Sequence, residues 1–241
     1  MTNYVYTAGV HNLSAPREVV PIALQFVQPR SVLDIGCGTG TWLKVFEENG
    51  VSDYLGIDGS VVPVDQLHIS PSKFQTKDLS KPFDFGRQFD LIVCLEVAEH
   101  LPSQFADTLV DMLTAHGDAI LFSAAIPGQG GQDHLNEQWP EYWQRKFEVK
   151  GYYFHDVIRP RIWNNPIVES WYKQNIFLVN RTPSHNSPML SVVHPEVFAA
   201  INRNRQEYEQ SLQTGKQGLK LSTKIFVQAL LFKIRNLMGL K

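Results

Sequence analysis

The stretch VLDIGCGTG, Val32–Gly40, decides the fold. Val32, Leu33 and Ile35 suit a buried strand, and they run straight into Gly36, Gly38 and Gly40. Glycines tolerate positive φ and let a ligand approach the main chain closely. The next segment, TWLKVFEENG, reads as a helix, with Trp42, Leu43, Val45 and Phe46 as its apolar contacts and Gly50 as its stop. A strand, a glycine turn and a helix N-terminus with free N–H groups together make a cofactor cradle.

Working outward, Pro16–Val27 reads as a helix with Ser14 as its N-cap and Pro21 inside it. DYLGIDGS is a second strand ending at Asp58, and KFQTKDLSKPF holds a short third strand before Asp78. FDLIVCLEVAEHL is a fourth strand, apolar at Leu91–Cys94 as in a parallel strand covered on both faces. PSQFADTLVDMLTAHG is a helix and DAILFSAAIPG a fifth strand; the helix EYWQRKFEVKG precedes strands at YYFHDVIRP and NIFLVN. Strands alternating with helices predict a doubly wound, seven-stranded, mostly parallel sheet. The paired late strands predict an antiparallel insertion at one edge. The domain expectation is 1–180 for the α/β part, 181–192 for a polar linker and 193–241 for a helical extension.

The 241 residues are 43% hydrophobic and 19% charged, an ordinary globular composition that argues against disorder. A net charge of −2 gives no global pull toward nucleic acid, and none is expected as a partner. Cys37 and Cys94 lack metal-type spacing and read as buried thiols in a reducing compartment. The first residues lack a signal peptide's basic and apolar regions, so a cytoplasmic protein is expected.

Asp58, at the end of a strand, can accept two hydrogen bonds from a ribose diol, which fits a dinucleotide or another adenosine cofactor. The dinucleotide fingerprint wants Gly or Ala at position 41, where Thr41 stands; the third glycine comes one residue early. VLDIGCGTG instead resembles the first motif of the class I S-adenosylmethionine-dependent methyltransferases. LGIDGS, KDLSKPF and FDLIVCLEVAEHL follow in that family's order, so the resemblance covers about residues 10–180. It implies the Rossmann-like methyltransferase fold and S-adenosylmethionine as cofactor. It also implies Asp34 near the methionine amino group, with the main chain of Gly36, Cys37, Gly38 and Gly40 against the methionine and ribose. Asp58 would hold the ribose hydroxyls, Gly59, Ser60, Asp78 and Leu79 would surround the adenine, and Glu96 and Val97 would border the methyl group. Taken alone, Asp34 reads as a turn carboxylate and Asp58 as an Asx turn.

Glu96, Glu99 and His100 form E-x-x-E-H beyond the fourth strand, and His134 follows the fifth in a Gly-rich loop. A helix starting at Glu96 would put Glu96, Glu99 and His100 on one face. Three readings stay open: a structural charge cluster, His100 or His134 as general base, or a divalent metal held by Glu96, Glu99, His100 and His134. This pattern resembles ubiquinone-pathway and small-RNA 2′-O-methyltransferases, which implies the metal set. His11 could line the site; His155 reads as structural on an edge strand.

The resemblance implies an acceptor pocket after the fifth strand, where the chain is aromatic. Trp139, Trp163 and Trp171 are the pocket candidates, and Arg159, Arg161 and Lys173 could meet a phosphate or carboxylate. No N-P-P-Y-type motif follows the fourth strand, which disfavours methylation of nucleobase or glutamine amino groups. The expected activity is O-methylation of a small molecule or a sugar or glycan intermediate. The competing readings are a non-catalytic S-adenosylmethionine-binding partner subunit and a nicotinamide oxidoreductase.

From Gly215 on, Lys216, Lys220, Lys224, Lys233, Arg235 and Lys241 meet no acidic residue and interleave with IFVQALLF. This basic amphipathic tail suits a membrane surface, a partner enzyme, or packing on the domain.

Overall fold

Apolar residues at consecutive positions need cover on both faces of a sheet, and the fold supplies it with two layers of helix. The structure, a computed structural model, describes residues 6, 7, 9, 11–183, 192–216 and 218–237. Its strands are β1 (Ser31–Ile35), β2 (Asp53–Asp58), β3 (Phe74–Thr76), β4 (Leu91–Leu95), β5 (Ala119–Ser123), β6 (Tyr153–His155) and β7 (Phe177–Asn180). They form one seven-stranded sheet in the order β3-β2-β1-β4-β5-β7-β6. The first five pair in parallel; β7 runs antiparallel between β5 and β6. The antiparallel insertion is therefore β7, and His155 does lie on the edge strand.

The helices are α1 (Ser14–Ala23), α2 (Thr41–Glu48), α3 (Ala106–His116), α4 (Pro140–Glu148), α5 (Arg159–Ile162), α6 (Ser170–Asn175), α7 (Pro195–Gln213) and α8 (Leu219–Leu237). Leu33, Ile35, Ile92 and Cys94 project to one face of the sheet, joined by Phe122, Trp143 and Phe147. Val32, Leu91, Val93 and Leu95 project to the other, joined by Val19, Leu43 and Phe46. Side chains alternate along each strand, so both faces must be apolar for the sheet to be buried.

Two details depart from the sequence reading. Ser14 opens α1 rather than capping it; its N–H donates to Asn12 Oδ1 at 2.7 Å, an Asx-type turn that starts the helix. Glu96 does not begin a helix: its φ is +54°, and only a short 3-10 turn, Ala98–His100, follows.

The chain divides into two compact units, Met1–Val197 and Phe198–Lys241. The division falls inside α7 because the residues leading into that helix dock on the first unit. His194 N donates to Gln174 Oε1 at 2.6 Å, and Lys173 Nζ meets Glu196 Oε2 at 2.8 Å. Residues 184–191 of the expected linker lie outside the described residues. No helix among the described residues is long and apolar enough to cross a membrane.

Candidate functional site

The strand order turns back at β1, with β2 on one side and β4 on the other, and a crevice opens at their carboxyl ends. A cavity of about 580 Å³ lies there. Gly36 has φ +82°, and a Cβ on it would stand 2.3 Å from Val97 Cγ2. Both facts demand glycine: the backbone is left-handed and the space is filled. Gly36 N and Cys37 N donate to Ile57 O at 2.8 and 2.9 Å, which ties the turn to β2. Gly40 is no part of the lining; it starts α2 and packs against Ile69.

Asp58 closes β2, and its carboxylate accepts three hydrogen bonds, which leaves a second acceptor direction on Oδ2. Oδ2 accepts from Gly38 N at 2.8 Å, and Oδ1 from Ser60 N at 2.8 Å and Tyr6 Oη at 2.7 Å. Tyr6 is thus a hydroxyl from the N-terminal segment seated on the carboxylate suited to a ribose diol, and burial followed by Asp58 raises its pKa. His11, also lining the cavity, packs edge-on against Tyr6 at 5.0 Å, and burial lowers its pKa. Asp34, at 2% exposed, is not among the residues that line the cavity; it precedes the glycine turn that does, at the carboxyl end of β1. Its Oδ2 has no hydrogen-bond partner among the described residues, and burial with nearby Asp58 pushes its pKa well up. A buried carboxylate oxygen without a donor suits a cationic group arriving from the cavity. Gly59, Ser60, Asp78 and Leu79 line the adjoining wall. Asp78 is held low, at about 2, by hydrogen bonds from Ser80 and by Lys81. The bare glycine turn, the orphaned Asp34 oxygen and the strand-end Asp58 fit S-adenosylmethionine.

The opposite wall is charged. Glu96 N donates to Ser123 O and Oγ at 3.1 and 3.0 Å, which holds the left-handed residue in place. The Glu96 carboxylate accepts from Gln129 Nε2 at 3.1 Å and Asn175 Nδ2 at 3.2 Å. Glu99 is fully buried, and no hydrogen bond of good geometry reaches its carboxyl among the described residues, although the Glu99 and Ala125 N–H groups lie close enough to act on it. Burial first and Glu96 second push its pKa well up. His100 lines the cavity; burial and then His134 lower its pKa, which leaves a neutral imidazole near pH 7. The two imidazoles meet edge-on at 4.9 Å, and His134 Nδ1 lies 2.9 Å from Glu137 Oε1.

Candidate ligand atoms of Glu99, His100 and His134 all lie within 4.8 Å of one another. Glu96 stands outside that group, and its carboxylate accepts from Gln129 and Asn175. The same-face argument for Glu96 also fails, because a left-handed residue does not continue a helix.

Of the expected aromatic candidates, Trp171 lines the cavity, with Trp42 and Tyr172 beside it. Trp139 lines a separate cleft with Tyr142 and Arg145. Trp163 packs on His194 at 4.5 Å. The three cations are engaged elsewhere: Arg159 with Asp156 and Gln174 O, Arg161 with Val157 O, and Lys173 with Glu196. None of the three is among the residues that line the cavity. Tyr6, Gln129 and Asn175 were not singled out from sequence. Nothing local marks them, since each acts on a carboxylate at least 33 residues away.

A family model described as a methyltransferase domain matches residues 8–156. Ubiquinone biosynthesis O-methyltransferase of Pseudomonas fluorescens (strain SBW25) is 30% identical over 98 residues, 35% of this chain and 42% of the relative. The enzyme of that name from Acinetobacter baumannii (strain AYE) is 28% identical over 102 residues, again 35% and 42%. The match thus spans less than half the length of these relatives. Among solved structures, S-adenosylmethionine-bound CalS10 is an amino pentose methyltransferase from Micromonospora echinaspora involved in calicheamicin biosynthesis. It aligns with a TM-score of 0.53 at 15% identity, over 76% of this chain and all of that one. DesVI of Streptomyces venezuelae aligns at 0.54 and 14%, over 74% of this chain and all of its own. These structures share the fold.

Proposed function

The chain belongs to the methyltransferase domain family, the class I S-adenosylmethionine-dependent methyltransferases, and from that premise we propose that it methylates a hydroxyl oxygen of a small molecule or a sugar or glycan intermediate. The observation that carries this reading is the meeting of the Gly36–Gly38 turn, Asp58 and His100 on one cavity. When bound, S-adenosylmethionine supplies a methyl group on a sulfonium centre, open to in-line attack. The chain's own contribution is mostly alignment, which can lower a barrier by several kcal/mol.

In this reading Asp58 holds the ribose hydroxyls, and Asp34 takes the methionine ammonium. The neutral His100 imidazole removes the acceptor hydroxyl proton as oxygen attacks. Gln129 and Asn175 fix the Glu96 carboxylate at the border of the reacting group. Leu101, Phe105, Leu135 and Trp171 give the acceptor side an apolar, aromatic lining that suits a ring. The absence of an N-P-P-Y-type motif and the likeness to O-methyltransferases support oxygen as the acceptor atom.

Calorimetry with S-adenosylmethionine, followed by a screen of phenols and sugar hydroxyls with labelled methyl donor, tests the proposal. Absence of binding heat sinks it. Binding without transfer to any acceptor favours the non-catalytic partner-subunit reading.

The cluster of Glu99, His100 and His134 favours a second reading, in which a divalent cation occupies that group. Two imidazoles and a carboxylate are a mixed nitrogen and oxygen set that suits Mn, Fe or Zn. On this reading Mn²⁺ or Zn²⁺ raises the melting temperature of the native protein and leaves Glu99→Gln unmoved. Equal shifts in both proteins exclude it.

A further inference from the structure

We propose that α8 is a docking helix for an anionic membrane surface. Its 19 residues form a rod about 28 Å long at 1.5 Å per residue. At about 100° per residue, Lys220, Lys224, Gln228 and Arg235 fall within one sector of roughly 80°. Leu219, Phe226 and Leu230 cluster about 140° from its centre, Val227 and Ile234 lie between the two, and Leu221, Ile225 and Phe232 lie on the basic sector's other flank. Leu231 sits within the basic sector, and Lys233 borders the apolar side, where its long stem can reach out to the headgroups.

Apolar side chains are exposed all along this helix. Phe226 and Phe232 are each 68% accessible, Leu219 86%, and Leu230, Leu231 and Ile234 between 42% and 53%. Exposure of this many large apolar groups along one helix marks a binding surface. The charge identifies what covers it. No acidic residue occurs from Gly215 to Lys241, while Lys216, Lys220, Lys224, Lys233 and Arg235 all carry positive charge. A second α8 would bring the same positive charge and no carboxylate to meet it. An anionic leaflet offers negative headgroups and an apolar layer together, which is what a basic amphipathic helix in the interface plane requires. The helix is too polar to cross the bilayer; it lies along the surface.

The test is co-flotation of the full-length chain with vesicles of phosphatidylcholine mixed with phosphatidylglycerol, or of phosphatidylcholine alone. The native protein floats with the mixed vesicles only, and salt weakens the association. Removing two charges with Lys220→Gln and Lys224→Gln lowers the partition coefficient roughly 25-fold, about fivefold for each basic residue. Phe226→Ser with Phe232→Ser abolishes flotation. All four positions are exposed, and calorimetry with S-adenosylmethionine verifies that the first unit is intact in each variant. Three results overturn the proposal: native protein that stays unbound, equal flotation with both vesicle types, or flotation indifferent to both variants. An α8-dependent dimer that does not float overturns it in favour of a second copy.

Discussion

Asp58 and Glu99 are carboxylates just beyond parallel strands of one sheet, and their surroundings are opposite. Asp58 accepts from three donors on three segments of chain. Glu99 is fully buried beside Glu96, no hydrogen bond of good geometry reaches it among the described residues, and the nearby Glu99 and Ala125 N–H groups offset only part of that burial. Leaving a buried acceptor unsatisfied costs about 1–3 kcal/mol, and more for a charge. The fold thus satisfies Asp58 before any ligand arrives, and leaves Glu99, like Asp34, at an electrostatic cost. Strain of that kind gathers where a proton or a cation must be handled.

The sharpest way to break this contrast is His100→Ala. Loss of a general base lowers methyl transfer by roughly 10²–10⁴-fold, while calorimetry shows S-adenosylmethionine affinity nearly unchanged. If both fall together, His100 belongs to the cofactor wall. The mirror experiment is Asp58→Ala, which removes two hydrogen bonds to an ionised acceptor and weakens S-adenosylmethionine binding by roughly a hundredfold. Unchanged binding heat refutes the ribose assignment.

Asp34 gives a smaller, pH-dependent signal. Its pKa is raised in the free protein by burial, and a bound ammonium would lower it. Binding then releases a proton. Affinity rises with pH from the ordinary carboxylate range to Asp34's raised value, by at most about tenfold per pH unit, and is flat above it. Calorimetry in two buffers of different ionisation heat reads the proton directly, and identical heats remove Asp34 from the site. Smallest is Tyr6→Phe. Removing the hydroxyl from Asp58 frees that oxygen for a ribose hydroxyl and strengthens binding by roughly five- to tenfold, the worth of one such bond. Weaker binding would instead make Tyr6 part of the cofactor's own contacts.

The glycine turn shows why the sheet was legible. Strand, turn and helix are consecutive, and the apolar run and positive-φ glycines that build them sit in nine residues, Val32–Gly40. The charged wall was only half legible. E-x-x-E-H announced the chemistry, but a helix over it was expected, and the left-handed Glu96 takes its place. That backbone is held by Ser123 from the neighbouring strand, and a local pattern cannot report such a hold. The partners of Arg159, Arg161 and Lys173 were not legible for a related reason: a cation's partner depends on which carboxylate or carbonyl folding brings nearest.

By itself the sequence determined the parallel sheet, the kind of cofactor and the basic, acid-free character of α8. Each of these is written in the spacing of adjacent residues. Only the tertiary structure decided that Tyr6 sits on Asp58, that Gln129 and Asn175 occupy Glu96, and that Glu99 groups with His100 and His134. The physical reason is distance along the chain. Hydrogen-bond partners and the desolvation that shifts a pKa are set by elements far apart in sequence, and they exist only once the sheet has brought those elements together.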